Sequence, residues 1–237
     1  MVSQKWESGG MGPSSLPADD QEWSALKAEI ERQVRLVESS IQLADQHLTW
    51  LRVGNPEVLL ERAVIAEPAN SQQSDPFWAA TWRAAQGLDR YLANLQLTGA
   101  RVLELGCGSG QAGVAAALRG ARVFSTDCVP LALQVARLNA WCVQSHIEFC
   151  LLNWGRERLP GDKFTIILGS DLVYDPALFA DLEACARAHL ADDGRLYLSE
   201  PHRHTGDRFS VWIRQQGWQT HEHDIDLNDG RVPIRIF

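Results

Sequence analysis

Residues Glu104 to Gly110 read Glu-Leu-Gly-Cys-Gly-Ser-Gly, and they directly follow the strand-like run 101–103. Asp127 comes seventeen residues after Gly110, at the end of a second apolar run, 121–126. Glycines let the backbone approach a ligand where a Cβ would clash, and an acid can accept hydrogen bonds from ribose hydroxyls. A strand, a glycine turn, a helix and a second strand ending in an acid therefore predict half of a nucleoside-binding site.

Composition narrows the class of protein. The 237 residues are 45% hydrophobic and 22% charged, which fits one large domain, or one and a half, with an ordinary buried core. The net charge of -8 disfavours nucleic acid as the main substrate, because an acidic protein repels phosphate backbones unless a local basic patch overrides this. We therefore expect a protein or small amine substrate and no nucleic acid.

Cysteine spacing and hydropathy predict the cellular compartment of the protein. The five cysteines show no Cys-x-x-Cys spacing, so reduced core residues are expected rather than disulfides or zinc ligands. No apolar run approaches the ~20 residues of a membrane span. Residues 1–20 lack the basic-then-apolar pattern of a signal peptide. The expectation is a cytoplasmic protein with no membrane partner.

Two segments are predicted to precede the main domain. Residues 1–20, rich in Gly, Ser and Pro, are predicted to be a disordered tail, and residues 21–74 an N-terminal helical extension. One interpretation of the extension is a long helix packed on its own domain. The alternative is a coiled-coil seam that forms a homodimer, since the repeat lasts about four heptads. The polar segment 67–76 is predicted to be a linker. The apolar stripe steps mostly by three and four through Trp23, Leu26, Ile30, Val34, Val37, Ile41, Ala44, Leu48 and Leu51.

Strand and helix signals alternate through residues 75–237. This alternation predicts an α/β domain with a mostly parallel sheet and helices on both faces. The turn signal Asn228-Asp-Gly230 predicts a closing antiparallel hairpin at one edge. Strands are predicted at 101–105, 121–126, 147–152, 164–169, 194–198, 218–227 and 231–237, and helices at 78–95, 111–119, 130–141, 176–190 and 207–216.

The glycine loop is compatible with two cofactors that contain a nucleoside. Residues 108–113 fit Gly-x-Gly-x-x-Gly, which predicts NAD with its pyrophosphate at a helix N-terminus. Glu104 counts against NAD, because a dinucleotide fold normally has an apolar residue there. The glycines also alternate from 106, and there is no room for a second nucleotide-binding half. The loop instead resembles the acid-x-Gly-x-Gly-x-Gly motif of class I S-adenosylmethionine-dependent methyltransferases, while an NAD enzyme or a purely structural turn stays an alternative.

Further motifs extend this resemblance from residue 75 to the C-terminus. The chain resembles the seven-strand protein lysine methyltransferases of methyltransferase family 16, and within them the group that methylates the electron-transfer-flavoprotein β-subunit, with its bacterial homologues. The resemblance implies a Rossmann-like seven-stranded sheet in the order 3-2-1-4-5-7-6, with strand seven antiparallel, and S-adenosylmethionine as cofactor. The motifs, in chain order, are Pro76-Phe-Trp-Ala-Ala-Thr-Trp82, the glycine loop, Asp127, Leu152-Asn-Trp154 and Asp171-Leu-Val-Tyr174.

The resemblance also implies the cofactor contacts. Asp127 would bind the ribose, unless it is only a helix N-cap. Asn153 stands where many relatives have Asp and would meet the adenine amino group, with Trp154 packed beside the adenine or serving as an ordinary core aromatic. Glu104 would help hold the amino group of the cofactor. The methionine part would lie against Gly106, Gly108 and Gly110.

Catalysis is assigned to the end of predicted strand four. Asp171 falls where ligands sit in open parallel sheets, and its carboxylate would orient the incoming amine and contact the cofactor. Tyr174 would wall the channel. Trp78 and Trp82 would line the pocket with aromatic faces that tolerate cations, and Trp82 is also counted among the cofactor contacts. Trp78 and Tyr174 are alternatively plain buried aromatics.

The chemistry favours an N-methyltransferase acting on a protein lysine. A free lysine has a pKa near 10.4, so holding it deprotonated at neutral pH costs roughly 4 kcal/mol, and the site must desolvate and aim the amine. A small-molecule N- or O-methyltransferase and a non-catalytic scaffold are the alternatives. Residues 200–204 follow predicted strand five and could shape substrate access. No metal is expected, because His202, His204, His221 and His223 lack an acid or Cys at helical spacing.

Overall fold

The computed structural model describes residues 14–15, 20–65 and 76–237 and consists of an eight-stranded sheet, a separate hairpin and flanking helices. Short 3-10 turns lie at Phe77–Ala79, Trp141–His146 and Pro176–Leu178. The strands are β1 Ser14–Ser15, β2 Leu36–Leu43, β3 Gln46–Val53, β4 Arg101–Leu105, β5 Arg122–Asp127, β6 Ile147–Leu151, β7 Phe164–Ser170, β8 Leu190–Glu200, β9 His223–Ile225 and β10 Ile234–Ile236. The α-helices are α1 Asp20–Glu31, α2 Glu57–Ile65, α3 Arg83–Leu92, α4 Gln111–Leu118, α5 Pro130–Asn139, α6 Phe179–His189 and α7 His204–Gln215.

The large sheet has the order β1-β6-β5-β4-β7-β8-β10-β9. Strands β6, β5, β4, β7 and β8 are parallel, and β10 is antiparallel to β8 and β9. Counted from β4 as strand one, seven of these strands have the order 3-2-1-4-5-7-6 with strand seven antiparallel. The predicted α/β Rossmann-like fold is therefore confirmed.

The predicted tail and linker fall mostly outside the described residues. Residues 14 and 15, which the prediction places in the tail, add β1 to the sheet edge beside β6. Residue 20 begins α1. Residues 67–75 of the predicted linker lie outside the described part of the chain.

The sheet is buried on both faces, as near-continuous apolar strands require in a parallel sheet. Successive residues of a strand point to opposite faces. Val102 accordingly packs in one cluster with Leu88 of α3 and Val114 of α4, whereas Leu103 and Leu105 pack in a second cluster with residues of α6 and α7. The carboxyl ends of β4, β5 and β7 are thereby held at one rim of a rigid sheet.

The predicted long N-terminal helix is wrong, because α1 ends at Glu31 and the rest of the apolar stripe forms the hairpin β2–β3. Burial along β2 alternates, as it does in a strand with one covered face. Ala44 and Asp45 join the two strands with φ values of 48° and 62°, the conformation of a type I′ hairpin turn. The spacing of three and four is therefore helical only up to Ile30, and from Val37 onward it comes from two strands with covered faces.

The coiled-coil seam is wrong for the same reason. Ile30, Val34 and Leu51 are buried in one cluster with Val135 and Leu138 of α5. These stripe residues pack inside their own chain, so they do not form the proposed dimer contact. The N-terminal segment is an α-helix and a hairpin docked on the main domain.

Several predicted element bounds also differ, and the predicted strand 194–198 extends to the full length of β8. The predicted helix 78–95 is a 3-10 turn followed by α3, because Trp82 is extended at φ -100° and ψ 134° and interrupts the helix. The predicted strand 218–227 shortens to β9. Among the residues that the structure describes, no helix combines the length and apolar character needed to cross a membrane.

Candidate cofactor and substrate site

A cleft opens at the carboxyl ends of β4, β5 and β7, with about 800 Å³ of empty space including its open mouth. The glycine loop follows β4, Asp127 ends β5, and Asp171 follows β7, and all three line the cleft. The 3-10 turn Phe77–Ala79 contributes Phe77 and Trp78 to the same lining. The chain thus places the cleft at the switch point of an open sheet, where ligands of doubly wound folds bind.

The glycine loop presents bare backbone to this cleft. Gly106 and Gly108 have φ values of 58° and 52°, in the left-handed region that favours glycine. A Cβ at Gly106 would lie 2.7 Å from Leu172 Cδ2, and one at Gly108 would lie 3.3 Å from the carbonyl oxygen of Trp78. Gly110 is the N-cap of α4 and is not part of the cleft lining. The first two predicted glycines are therefore in place and the third shapes the helix start.

Asp127 joins the end of β5 to the glycine loop. Its carboxylate is buried and accepts hydrogen bonds from the backbone N–H groups of Gly108 and Val129, each at 2.9 Å. Asp127 lines the cleft, where an ionised carboxylate can accept hydrogen bonds from ribose hydroxyls. It is not the N-cap of α5, which is Val129, and its carboxylate instead holds Gly108 of the glycine loop.

Glu104 is a buried acid behind the loop, and it lines the cleft. The hydroxyl of Ser125 donates a hydrogen bond to its carboxylate. Burial raises the pKa of Glu104 to about 7, against the opposing effect of the hydrogen bonds from Ser125 and the backbone of Gly113. Glu104 is thus close to half ionised at neutral pH, and a cationic ligand group beside it would favour its ionised form.

These residues fit S-adenosylmethionine better than NAD. The bare loop matches the amino-acid end of the cofactor, Glu104 matches a cationic amino group, and the carboxylate of Asp127 matches ribose hydroxyls. A pyrophosphate at this loop would lie beside Glu104, whose ionised form would repel it. The donor and acceptor set of the cleft therefore disfavours the dinucleotide alternative.

Only one of the two residues predicted to contact the adenine lines the cleft. Trp154 is half-buried and lines the cleft. Asn153 does not line it; its Oδ1 accepts a hydrogen bond from the N–H of Gly155 at 3.3 Å, and its own N–H donates to Glu157 at 2.7 Å. The roles of Asn153 and Trp154 at the adenine stay predictions.

The predicted catalytic residues share a second cavity that adjoins the cleft. This cavity has about 460 Å³ of empty space, open solvent included, and is lined by Phe77, Trp82, Asp171, Tyr174 and Arg203. Trp82 donates its Nε1–H to the carbonyl oxygen of Phe77 at 3.0 Å, and the rings of Phe77 and Tyr174 meet edge to face at 6.0 Å between centroids. Trp82, Asp171 and Tyr174 line both cavities, so the structure brings these three predicted residues together.

Asp171 is held in an unusual backbone conformation. Its φ is 61°, which is uncommon for a residue other than glycine, and its N–H donates to the carbonyl oxygen of Ser199 at 2.8 Å. Its side chain is only 5% exposed. The backbone of β8 thus holds this strained residue where it lines the second cavity.

Arg203 is the partner of Asp171 that the sequence analysis missed. Its guanidinium donates to both carboxylate oxygens, with Nη2 3.0 Å from Oδ2, and lies 5.6 Å from the centroid of the Trp82 ring. The hydrogen bond to Asp171 raises the pKa of Arg203. The backbone N–H of Arg203 is fixed by the buried carboxylate of Glu200 at 2.7 Å. The two partners are 32 residues apart, so no local pattern signals the pair.

The histidines of the rim do not gather around a metal position. Nε2 of His202 lies 2.7 Å from Oδ1 of Asp224, at an exposed site. Within the described residues, no three His, Cys, Asp or Glu side chains come together in a way that could hold a metal ion.

Comparisons with known proteins identify the family. A family model described as lysine methyltransferase, methyltransferase family 16, matches residues 69–214. The EEF1A lysine methyltransferase 3 of Mus musculus is 33% identical over 169 residues, which are 67% of this chain and 70% of that protein. The electron transfer flavoprotein beta subunit lysine methyltransferase of Xenopus laevis is 40% identical over 114 residues, which are 46% of this chain and 44% of that protein.

A solved structure supports the fold. The magnesium protoporphyrin IX methyltransferase of Synechocystis, crystallised with S-adenosylmethionine, aligns with 77% of this chain and 90% of its own, at a TM-score of 0.53 and 19% identity. Together with the family match, the cleft confirms the predicted enzyme class, a methyltransferase, and its cofactor, S-adenosylmethionine. The chain belongs to the lysine methyltransferase family.

Proposed function

We propose that this protein transfers a methyl group from S-adenosylmethionine to the ε-amino group of a protein lysine. The observation that carries the proposal is the aromatic cavity around Asp171, which opens into the cofactor cleft. Aromatic faces attract a cationic head and pack along an aliphatic stem, the two parts of a lysine side chain. The names of both relatives, which specify protein substrates, support the same class.

The residues of the cofactor half bind and orient. When bound, S-adenosylmethionine supplies an electrophilic methyl group on a positively charged sulfur. The bare loop at Gly106 and Gly108, the acceptors of Asp127 and the acid of Glu104 hold the cofactor at the rim of the sheet. Because the N–H of Gly108 donates a hydrogen bond to the side-chain carboxylate of Asp127, the relative position of the loop and this acid is set before the cofactor arrives.

The residues of the substrate half deliver a neutral amine. The aromatic walls Phe77, Trp82 and Tyr174 remove water from the ammonium group, which lowers its pKa. A lone carboxylate at Asp171 would oppose this effect by stabilising the charged form. Arg203 compensates the charge of Asp171, so the carboxylate can accept a hydrogen bond from the amine without holding a proton on it. Asp171 thus orients the nucleophile, and Arg203 orients Asp171.

Label transfer in a cell extract tests the proposal. The full chain is incubated with S-adenosylmethionine tritiated on the methyl group and with a cell lysate, and protein-bound tritium is counted. We expect a labelled protein band whose acid hydrolysate contains Nε-methyllysine. Asp171→Asn, which preserves the size and the backbone preference of the side chain, is the matched control and should give no band.

Two outcomes would overturn the proposal. Tritium found only in small molecules would assign the protein to the alternative class, a small-molecule N- or O-methyltransferase. Cofactor binding without transfer to any fraction of several extracts would favour a non-catalytic scaffold. Calorimetry with S-adenosylhomocysteine separates both results from a simple failure to bind the cofactor.

A cytoplasmic location is also part of the proposal. No disulfide joins the five cysteines in the described part of the chain, and Cys107 and Cys185 are buried. Burial raises the pKa of the Cys185 thiol to about 11, so this thiol is unreactive. Free thiols are typical of reducing compartments. Cell fractionation with an antibody to the protein tests the assignment, and recovery outside the cytosol would contradict it.

A further inference from the structure

The hairpin β2–β3 contacts the glycine loop directly. Trp50 of β3 is completely buried, and its Nε1–H donates a hydrogen bond to Oγ of Ser109 over 3.4 Å. Ser109 lies between Gly108 and Gly110 and lines the cofactor cleft. A strand residue 59 positions upstream therefore touches the loop that faces the cofactor.

Asn139 forms a second connection between the hairpin and the loop. It ends α5 and is 6% exposed. Its Oδ1 accepts the N–H of Leu51 at 2.8 Å, and its Nδ2 donates to the carbonyl oxygens of Leu51 at 3.0 Å and of Ser109 at 3.1 Å. The side-chain amide thus connects the β3 backbone to the loop backbone, with its oxygen as acceptor and its NH2 group as donor. Loss of this side chain would leave buried backbone groups without these partners.

The hairpin is also fixed at its turn. The N–H of Ala44 donates to Oδ1 of Asp89 in α3 at 3.0 Å, and the same carboxylate oxygen accepts from Arg119 at 2.7 Å. The hairpin is therefore anchored at its turn and again at Trp50 and Leu51. A strand anchored at two points is a stiff support for the loop it touches.

We propose that Trp50 and Asn139 are positioning residues for cofactor binding, which hold the glycine loop in its binding conformation through Ser109. Glycine has the largest backbone freedom to lose, so a loop with three glycines in the left-handed region is costly to order. Contacts that order the loop before binding remove this cost from the affinity. The hairpin precedes the region that the family model matches, which begins at residue 69. The inference concerns the cofactor half and does not rest on the proposed substrate.

Calorimetric titration of the full chain with S-adenosylhomocysteine tests this role. In Trp50→Phe, which retains an aromatic ring but removes the N–H donor, Kd should rise about fivefold, the usual effect of one lost hydrogen bond. Asn139→Ala removes three hydrogen bonds and should raise Kd at least as much. The matched control is Asn55→Ala at the open end of the same hairpin, where Oδ1 accepts the N–H of Arg35 at 2.7 Å. This control should lower the thermal midpoint and leave Kd unchanged.

Two further measurements separate positioning from general stability. Hydrogen exchange of the amides of residues 106–110 in the cofactor-free protein should be faster in Trp50→Phe than in the control variant. The effects of Trp50→Phe and Ser109→Ala on Kd should be less than additive, because both remove the same contact. If Asn139→Ala fails to fold, Trp50→Phe decides the question alone.

The proposal is overturned by unchanged binding. Folded Trp50→Phe with Kd within about twofold of wild type and with unchanged loop exchange would show that the hairpin contributes only stability. Equal weakening by the Asn55→Ala control would show the same. Neither result would affect the proposed methyl transfer to lysine, which is tested by label in protein.

Discussion

In the cofactor half of the cleft, backbone N–H groups of the glycine loop are hydrogen-bonded to β5 and its end, whereas in the substrate half the position of the key carboxylate depends on one ion pair between two side chains. On the cofactor side, Asp127 binds the N–H of Gly108, and the N–H of Cys107 donates to the carbonyl oxygen of Thr126 at 2.9 Å. On the substrate side, the Asp171 carboxylate is paired with Arg203, whose side chain is 33% exposed. The glycine loop and Asp127 are therefore positioned by backbone groups of the sheet, whereas the Asp171 carboxylate depends on a partner side chain that solvent can reach.

Gly108→Val is the substitution expected to weaken cofactor binding most. Valine would need a left-handed backbone that β-branched residues avoid, and its Cβ would press on the carbonyl oxygen of Trp78. We expect Kd for S-adenosylhomocysteine to rise about a hundredfold or more in calorimetry. Gly161→Val is the matched control, because Gly161 also has a positive φ, but a Cβ added there would meet no atom of the described residues within 4 Å. Tight binding by Gly108→Val would mean that the loop does not face the cofactor.

Asp171→Asn breaks the substrate half and should leave the cofactor half intact. Asn tolerates a left-handed backbone, so the change removes charge and one acceptor with little added strain. We expect the rate of label transfer to protein to fall about a hundredfold, in the range of lost positioning and proton-transfer groups. The affinity for S-adenosylhomocysteine should stay within about twofold of wild type. Equal losses of affinity and rate would place Asp171 in the cofactor half.

The pH dependence of cofactor binding probes Glu104. An ionised Glu104 attracts the cationic amino group of the cofactor, and its pKa is raised to about 7 by burial. Affinity for S-adenosylhomocysteine should therefore rise between pH 6 and pH 8, approaching tenfold per unit below the pKa. Glu104→Gln should bind more weakly and without this pH dependence. A steep dependence that persists in Glu104→Gln would assign the titration to another group.

The same titration predicts the stability of the cofactor-free protein. Because folding raises the pKa of Glu104 above its ordinary value of 4.5, ionising it opposes folding. The stability from this group is fully present below about pH 4.5 and is lost as pH rises through about 7. The difference corresponds to about 3 kcal/mol at most. Thermal midpoints should fall from pH 6 to pH 8 in the wild type and stay flatter in Glu104→Gln.

Arg203→Met is expected to have the smallest effect, and it tests whether Arg203 offsets the charge of Asp171. Methionine retains an aliphatic stem over Trp82 but no longer offsets the charge of Asp171, so the substrate amine should keep its proton to higher pH. The apparent pKa in the pH profile of kcat, which reports the enzyme–substrate complex, should move up by about half a unit, so that kcat near pH 7.5 falls about threefold and recovers near pH 9. Arg203→Lys retains the charge and should keep the wild-type profile. An unshifted profile in Arg203→Met would contradict the compensating role.

Local sequence was sufficient for the fold because each strand and helix after residue 100 carries its own signal. The loop Glu104 to Gly110 and Asp127 sit at strand ends, and the ends of neighbouring parallel strands meet at one rim. The same reasoning predicted that Asp171 lies at the cleft, which it lines. It failed at the N-terminus, where two strands joined by Ala44 and Asp45 lack the usual Asn-Gly turn signal and repeat apolar residues at helical spacing.

The partners within the site could not be predicted, because they are distant in the chain. Arg203 meets Asp171 across 32 residues, and Asn139 meets Leu51 across 88. Each pairing depends on how helices and strands pack, which no single segment encodes. The sequence therefore identifies the acids that meet a ligand but not the side chains that hold them.

The burial of Trp50 has a practical consequence for work with shortened versions of the enzyme. Trp50 and Leu43 fill the same core as Leu88 and Val114 of the main domain. A fragment cut at residue 69, where the family match begins, would lose both and expose the apolar walls that they cover. Such a fragment is expected to aggregate during expression, so the usable catalytic unit must retain the hairpin.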